Sequence, residues 1–267
     1  MSSAPEQADA SPILLRRDEN GVATLTLNRP DQYNALSEEM LAALQAEMDA
    51  IAGDDSLRCV VIAAEGRAFC AGHDLKQMRA NPRREYYDQL FATCGRLMQS
   101  IVELPLPVIA RVQGIATAAG CQLVASCDLA VAVDSARFAV SGINVGLFCS
   151  TPAVALSRNL SRKRAFQMLV TGEFIDAETA IDWGLINHAV PADELDAAVA
   201  RFTDSICAKS PVAIRTGKGM FYEQLERDLP EAYALAAERM ACNMMAEDAG
   251  EGIDAFIAKR KPQWKGR

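Results

Sequence analysis

The stretch Val108-Ile109-Ala110-Arg111-Val112-Gln113-Gly114-Ile115-Ala116-Thr117-Ala118-Ala119-Gly120-Cys121-Gln122-Leu123-Val124 decides how the chain is read. It opens on five residues of strand character, passes through the small-residue segment Gly114–Gly120, and runs into a helix through Leu123 and Val124. An earlier segment has the same order. The buried strand Cys59-Val60-Val61-Ile62-Ala63 is followed by the turn Phe69-Cys70-Ala71-Gly72-His73-Asp74-Leu75-Lys76. Each turn offers free backbone N–H groups at the start of a predicted helix, where they can face an anion. The bland alternative is that small residues merely permit close strand–helix packing. Two such turns converging would form a backbone oxyanion hole.

Outward from this pair, the segment Ile13–Asn28 predicts a hairpin with a polar turn at Asp18–Gly21, ended by Asn28-Arg29-Pro30. Met40, Leu44, Met48 and Ile51 recur at helical spacing behind Ser37, a capping residue, with Glu38 and Glu39 in the first turn. A second helix is predicted from Arg84 to Val102 on Leu90, Cys94, Leu97 and Ile101. Further strands are expected at Asp128–Val133 and Phe138–Val140. After Ser150 the strands are expected to stop and the chain to continue as helices. The fold class is therefore α/β with an α-helical C-terminal region. The expected divisions are a flexible N-terminus over 1–12, a core over 13–200 and a helical subdomain over 201–267.

Composition narrows the functions. With 35 acidic against 27 basic side chains in 267 residues, the net charge of −8 argues against nucleic acid as a partner. Apolar runs such as Leu129–Val133 are too short to span a bilayer, so no membrane partner is expected. Eight cysteines are scattered without a C-x-x-C pair, and the N-terminus lacks a basic start and an apolar core. A reducing, cytoplasmic location with free buried thiols is expected. Two histidines, His73 and His188, do not make a His-rich zinc site, and no metal is expected. Gly217-Lys218-Gly219 lacks the upstream glycine and the following Ser or Thr of a phosphate-binding loop. There is no G-x-G-x-x-G after a strand, no G-x-S-x-G and no H-E-x-x-H.

Several blocks, in order, carry a family resemblance: Asn28-Arg29-Pro30 with Asn34-Ala35-Leu36; Ala68–Leu75; Pro107–Ala110 leading into Gly114–Cys121; Cys127-Asp128-Leu129-Ala130; Ala180–Asn187; and Glu251–Phe256. Across about Val22 to Trp264 the chain resembles the crotonase (enoyl-CoA hydratase/isomerase) superfamily. Within it, GHDLK together with Gly142 and NVGLFCSTP looks closest to the enoyl-CoA hydratase domain-containing protein 3 subgroup. The resemblance implies a crotonase-like spiral of ββα units with a C-terminal helical trimerisation region, assembled as a homotrimer or a dimer of trimers. It implies an acyl-CoA thioester as substrate, with coenzyme A entering as part of that substrate and no separate cofactor.

By position in the motif, the backbone N–H groups of His73 and Ala119 are the expected oxyanion hole. Coenzyme A is expected along Ala71, Gly72, His73, Asp74, Leu75 and Lys76, with Phe256, Lys259 and Lys261 as further contacts. The His73 imidazole is open to three readings: bystander, coenzyme A contact or proton carrier. Asp74 at a helix start suits a cap better than a catalyst. Tyr86 and Tyr87 are read either as acyl-pocket lining or as a solvated helix face.

The departures bear on the reaction. Hydratases of this family use two glutamates, and the matching positions here hold Gln122 and Gly142. An amide does not exchange a proton at neutral pH, and each general acid or base contributes about 10²–10⁴-fold. Efficient two-glutamate hydration is therefore not expected. The segment Ser141–Ser150 is similar to one in dihydroxynaphthoyl-CoA synthases, which carry an acid where Cys149 stands. That thiol is read as a nucleophile or weak base if its pKa is depressed, and otherwise as packing. Gln122, Gly142, Asn144 and Cys149 are expected around the reaction centre. The readings that remain are a nominal enoyl-CoA hydratase of fatty-acid metabolism, a non-hydratase acyl-CoA binder, or a thioesterase or C–C lyase.

Overall fold

A computed structural model describes residues 11–267; the expected flexible segment over 1–12 falls almost wholly outside the described residues. The strands are β1 (Leu14–Glu19), β2 (Val22–Leu27), β3 (Cys59–Ala64), β4 (Ala68–Cys70), β5 (Val108–Val112), β6 (Ile115–Thr117), β7 (Leu129–Val133), β8 (Arg137–Ala139), β9 (Ile175–Asp176) and β10 (His188–Val190). The helices are α1 (Glu38–Ala52), α2 (Leu75–Ala80), α3 (Arg84–Glu103), α4 (Ala119–Ser126), α5 (Ser150–Asn159), α6 (Arg162–Thr171), α7 (Ala177–Trp183), α8 (Leu195–Cys207), α9 (Pro211–Leu225), α10 (Leu229–Met244) and α11 (Glu247–Ile257).

Two sheets organise them. The first has the order β1-β2-β3-β5-β7-β10 and the second β4-β6-β8-β9. Successive strands alternate between the sheets: β3 then β4, β5 then β6, β7 then β8, with helices following each pair. This is the spiral of ββα units that the resemblance implies. The β1–β2 hairpin is antiparallel, in register from Leu14↔Leu27 to Glu19↔Val22, and every later pairing in the first sheet is parallel. All six residues of β3 are buried, as a parallel strand covered on both faces requires. Helix α1 begins where its sequence predicts, the Ser37 hydroxyl accepting the Met40 N–H at 3.2 Å.

The expectation that strands end at Ser150 is corrected. Strand β9 pairs antiparallel with β8, and β10 pairs parallel with β7. Segments of two and three residues carry too little alternation to be read locally, and the open edges of sheets already formed supply their pairing. The expected division at 200/201 falls inside α8, which packs against β3, β5, β7 and β10. Among the described residues no helix is long and apolar enough to cross a membrane.

Candidate active site

The two small-residue turns meet. The first is pinned from outside: Ala71 N–H donates to the Tyr33 carbonyl at 3.0 Å, and Leu36 N–H donates to the Gly72 carbonyl at 2.8 Å within a parallel Leu36–His73 bridge. A bridge that uses the Leu36 amide leaves the His73 N–H outside the pairing. Gly72 adopts φ +89°, and a methyl group there would lie 2.8 Å from Ala118 Cβ and 3.1 Å from the Ala119 nitrogen. Only glycine meets both demands. On the second turn Ala118 holds φ 52°, ψ −123°, and its N–H donates to the Ala139 carbonyl at 3.0 Å. Ala119 is the first residue of α4, so its N–H belongs to the turn that lacks an intrahelical partner.

A cavity of about 260 Å³ opens beside this junction. Of the residues predicted for the site, His73, Ala119, Gly142 and Cys149 line it, together with Ala71 and Leu75. Gly72 lies buried behind the wall. The Asp74 carboxylate caps α2, accepting from the N–H groups of Lys76 (2.8 Å) and Gln77 (3.2 Å), and Lys76 is exposed on that helix. Two of the residues expected around the reaction centre do not line the cavity. Asn144 turns its amide to the Gly172 carbonyl at 3.4 Å, at the end of α6, because the short helical turn Ser141–Val145 packs on that helix. Gln122 is enclosed one turn beyond Ala119, 3% exposed, with its Oε1 unpartnered.

Met78 and Phe91 form wall that the sequence reading missed, as do Ser150, Thr151 and Pro152 at the start of α5. Tyr86 and Tyr87 do not line the cavity; their rings meet edge-on at 5.8 Å, and the Tyr87 hydroxyl donates to the Met78 carbonyl at 3.1 Å. The i, i+4 relation of Tyr87 to Phe91, whose rings stack at 6.4 Å, was the one local signal for that wall. Phe256 lines a separate cleft of about 530 Å³ between α9, α10, α11 and the C-terminal tail, and neither Lys259 nor Lys261 lines the cavity.

Among the described residues lining the cavity, His73 and Cys149 are the only ionisable ones. Burial holds the His73 imidazole down to about 4, so it is neutral at pH 7. Its Nε2 is enclosed without a hydrogen-bond partner, and the ring meets Phe91 edge-on at 5.5 Å. Burial pushes the Cys149 thiol up, against a weaker downward pull from the Gly142 N–H donated to its sulfur. The depressed thiol that a nucleophilic role needs is absent, which corrects that alternative in favour of packing. Cys149 also closes position 142: a Cβ on Gly142 would lie 2.7 Å from its Sγ and 2.6 Å from the Leu147 carbonyl oxygen. Of the eight thiols, all free, six are buried; Cys207 is half-buried and Cys242 exposed.

The enoyl-CoA hydratase/isomerase family model matches residues 17–267. The chain belongs to the enoyl-CoA hydratase/isomerase family. The enoyl-CoA hydratase domain-containing protein 3, mitochondrial, of Xenopus laevis is 46% identical over 254 residues, which are 95% of this chain and 86% of that protein. A crystal structure of enoyl-CoA hydratase from Mycobacterium smegmatis superposes with a TM-score of 0.94 at 61% identity, covering 95% of this chain and 99% of that one. The crystal structure of the human domain-containing protein 3 gives 0.92 at 45% identity, covering 95% and 100%. These findings place the chain in the subgroup that its motifs resemble. They also overturn the cytoplasmic expectation: the frog protein and its relatives of the same name from mouse, rat, human and zebrafish are all named mitochondrial. Buried thiols and a short N-terminal reading do not distinguish between reducing compartments.

Proposed function

We propose that this chain binds acyl-CoA thioesters and holds the thioester oxygen between the backbone N–H groups of His73 and Ala119. The observation that carries this reading is the contact of the two turns at Gly72, with both amides beside a cavity free of carboxylates. As negative charge gathers on the oxygen, each fixed donor is worth about 2.7–4 kcal/mol. Coenzyme A lies along Ala71–Lys76 on this reading, as part of the substrate. Copies assemble as a homotrimer or a dimer of trimers.

The nominal activity is hydration of an enoyl-CoA in fatty-acid metabolism. A second reading, that the chain is an acyl-CoA binder, thioesterase or C–C lyase, is favoured by one observation: Cys149 Sγ and the Leu147 carbonyl occupy the space a side chain at Gly142 would need. The test is loss of the conjugated absorbance of crotonyl-CoA, run beside a binding titration. The expected result is saturable binding with hydration at least about 10²-fold below an ordinary hydratase, and no rescue by Gly142→Glu. Ordinary hydratase turnover by the wild type would overturn the second reading. Failure to bind any acyl-CoA would overturn the first.

A further inference from the structure

We propose that this cavity is an acyl-chain pocket selective for neutral chains of about six to eight carbons, with Phe91 as the residue that sets its size. The proposal rests on the acyl-thioester reading above and names the class of acyl group that the site takes.

The chemistry of the wall argues for a neutral chain. Leu75, Val145, Leu147 and Phe148 belong to the wall and yet are exposed to water, and grouped apolar side chains left in water mark a binding surface. Among the described residues, no wall side chain is charged at pH 7: burial keeps the His73 imidazole neutral and the Cys149 thiol protonated. Two of the three wall hydroxyls already have partners inside the protein. Ser141 shares a 2.8 Å hydrogen bond with the Thr117 hydroxyl, and Ser150 donates to the Phe148 carbonyl at 3.4 Å. Thr151 carries the third. Lys76, beside Leu75 in sequence, is exposed on α2 and is not part of the wall. A carboxylate at the end of an acyl chain would therefore give up its water with no cation to meet it, whereas a methyl group gives up nothing.

The size of the chain follows from walls that hold their shape. The Phe91 ring is gripped from two sides, by Tyr87 stacked at 6.4 Å and by His73 edge-on at 5.5 Å. The Tyr87 hydroxyl donates to the Met78 carbonyl at 3.1 Å, which ties α3 to α2 where both face the cavity. Leu90 and Cys94, buried on the same helix as Phe91, anchor α3 in the core. An engineered protein cavity of about 150 Å³ takes up benzene, so one of about 260 Å³ accommodates about ten heavy atoms. The carbon, oxygen and sulfur of the thioester use part of that space, leaving room for an acyl chain of about eight carbons with the carbonyl included.

The test is a set of binding titrations with butyryl-, hexanoyl-, octanoyl-, palmitoyl- and adipoyl-CoA on the wild type, Phe91→Leu and Phe91→Ala, the fold of each variant checked by circular dichroism. Saturated acyl groups cannot be hydrated, so affinity is read without turnover. Expected is wild-type affinity that tightens about two- to fourfold per methylene from butyryl- to octanoyl-CoA and then levels off. Adipoyl-CoA, which is hexanoyl-CoA with a carboxylate in place of the terminal methyl group, should bind at least about 10²-fold more weakly than hexanoyl-CoA. Phe91→Leu and Phe91→Ala should move the levelling-off point to longer chains by about one to four carbons, in the order of volume removed. Adipoyl-CoA binding as tightly as hexanoyl-CoA would overturn the neutral-chain selectivity. Affinity independent of chain length, or tightening that continues undiminished to palmitoyl-CoA, would overturn the size limit. Folded Phe91 variants with the wild-type length profile would remove Phe91 from its role. Each of these three results leaves the acyl-thioester reading intact; no binding of any acyl-CoA would overturn that reading and the proposal together.

Discussion

Single residues at the turn junction carry consequences for stability as well as chemistry. Ala118 holds a positive φ that alanine rarely adopts, at a cost of about 1–3 kcal/mol. Ala118→Gly relieves that strain and loses about 0.5–1 kcal/mol to chain entropy. A net gain of about 1 kcal/mol is expected, read as a rise of about 2–4 °C in Tm; a fall in Tm would mean the turn is not strained. His73 makes stability depend on pH with a definite sign. Its folded pKa lies below its ordinary value, so between 6.5 and about 4 the unfolded chain binds the extra proton. The His73 contribution is therefore complete above pH 6.5 and is lost as pH falls toward 4, by up to about 3 kcal/mol. Urea unfolding at pH 7 and near pH 4 should show the wild type losing more stability than His73→Gln. Parallel losses would contradict the buried, neutral ring.

At the scale of elements, α9 is tied to the core by one carboxylate. Asp128, just beyond α4, accepts the Val108 N–H at 2.6 Å, Lys218 Nζ at 2.7 Å and the Tyr222 hydroxyl at 2.8 Å. Lys218 also donates to the Ile101 and Leu106 carbonyls, at 2.9 Å each. The i, i+4 spacing of Lys218 and Tyr222 puts both on one face of α9. The pair is nearly dry, with side chains 7% and 13% exposed. Lys218→Met leaves a buried carboxylate without its counter-charge, and a loss of about 3–5 kcal/mol in urea unfolding is expected. A loss under 1 kcal/mol would mean that water replaces the ammonium group. In the sequence, Gly217-Lys218-Gly219 was legible only as a phosphate loop that fails; its partner is 90 residues away. The hairpin, α1 and α3 were legible because spacing and caps are local, whereas β9 and β10 exist only by pairing with strands far along the chain.

For the whole molecule, the C-terminal helices present apolar side chains that a monomer leaves in water. Leu229 and Tyr233 are each 71% exposed, Met245 86% and Phe256 84%. Large exposed apolar surface marks an interaction site, and the proposed trimer or hexamer would cover it with copies of the same chain. Light scattering should therefore report three or six times the monomer mass. Tyr233→Lys with Met240→Lys, the latter also on α10 and 73% exposed, should lower that mass while leaving the sheets intact by circular dichroism. A wild-type monomer at micromolar concentration would overturn the assembly.

The sequence by itself determined the strand–turn–helix repeats, the two small-residue turns and the absence of both glutamates. These are matters of residue identity and short-range spacing, which backbone sterics and burial periodicity translate directly. It did not determine which side chains share the cavity. Asn144 and Gln122 stand as close in sequence to the site as Gly142 and Ala119, yet the first turns to Gly172 and the second is enclosed behind the wall. Nor could it show that Cys149 and Leu147 fill the space at Gly142, or that the His73 imidazole is held neutral with an unpartnered nitrogen. Side-chain direction, desolvation and closed volume depend on atoms brought together from distant parts of the chain, and only the packed tertiary structure decided them.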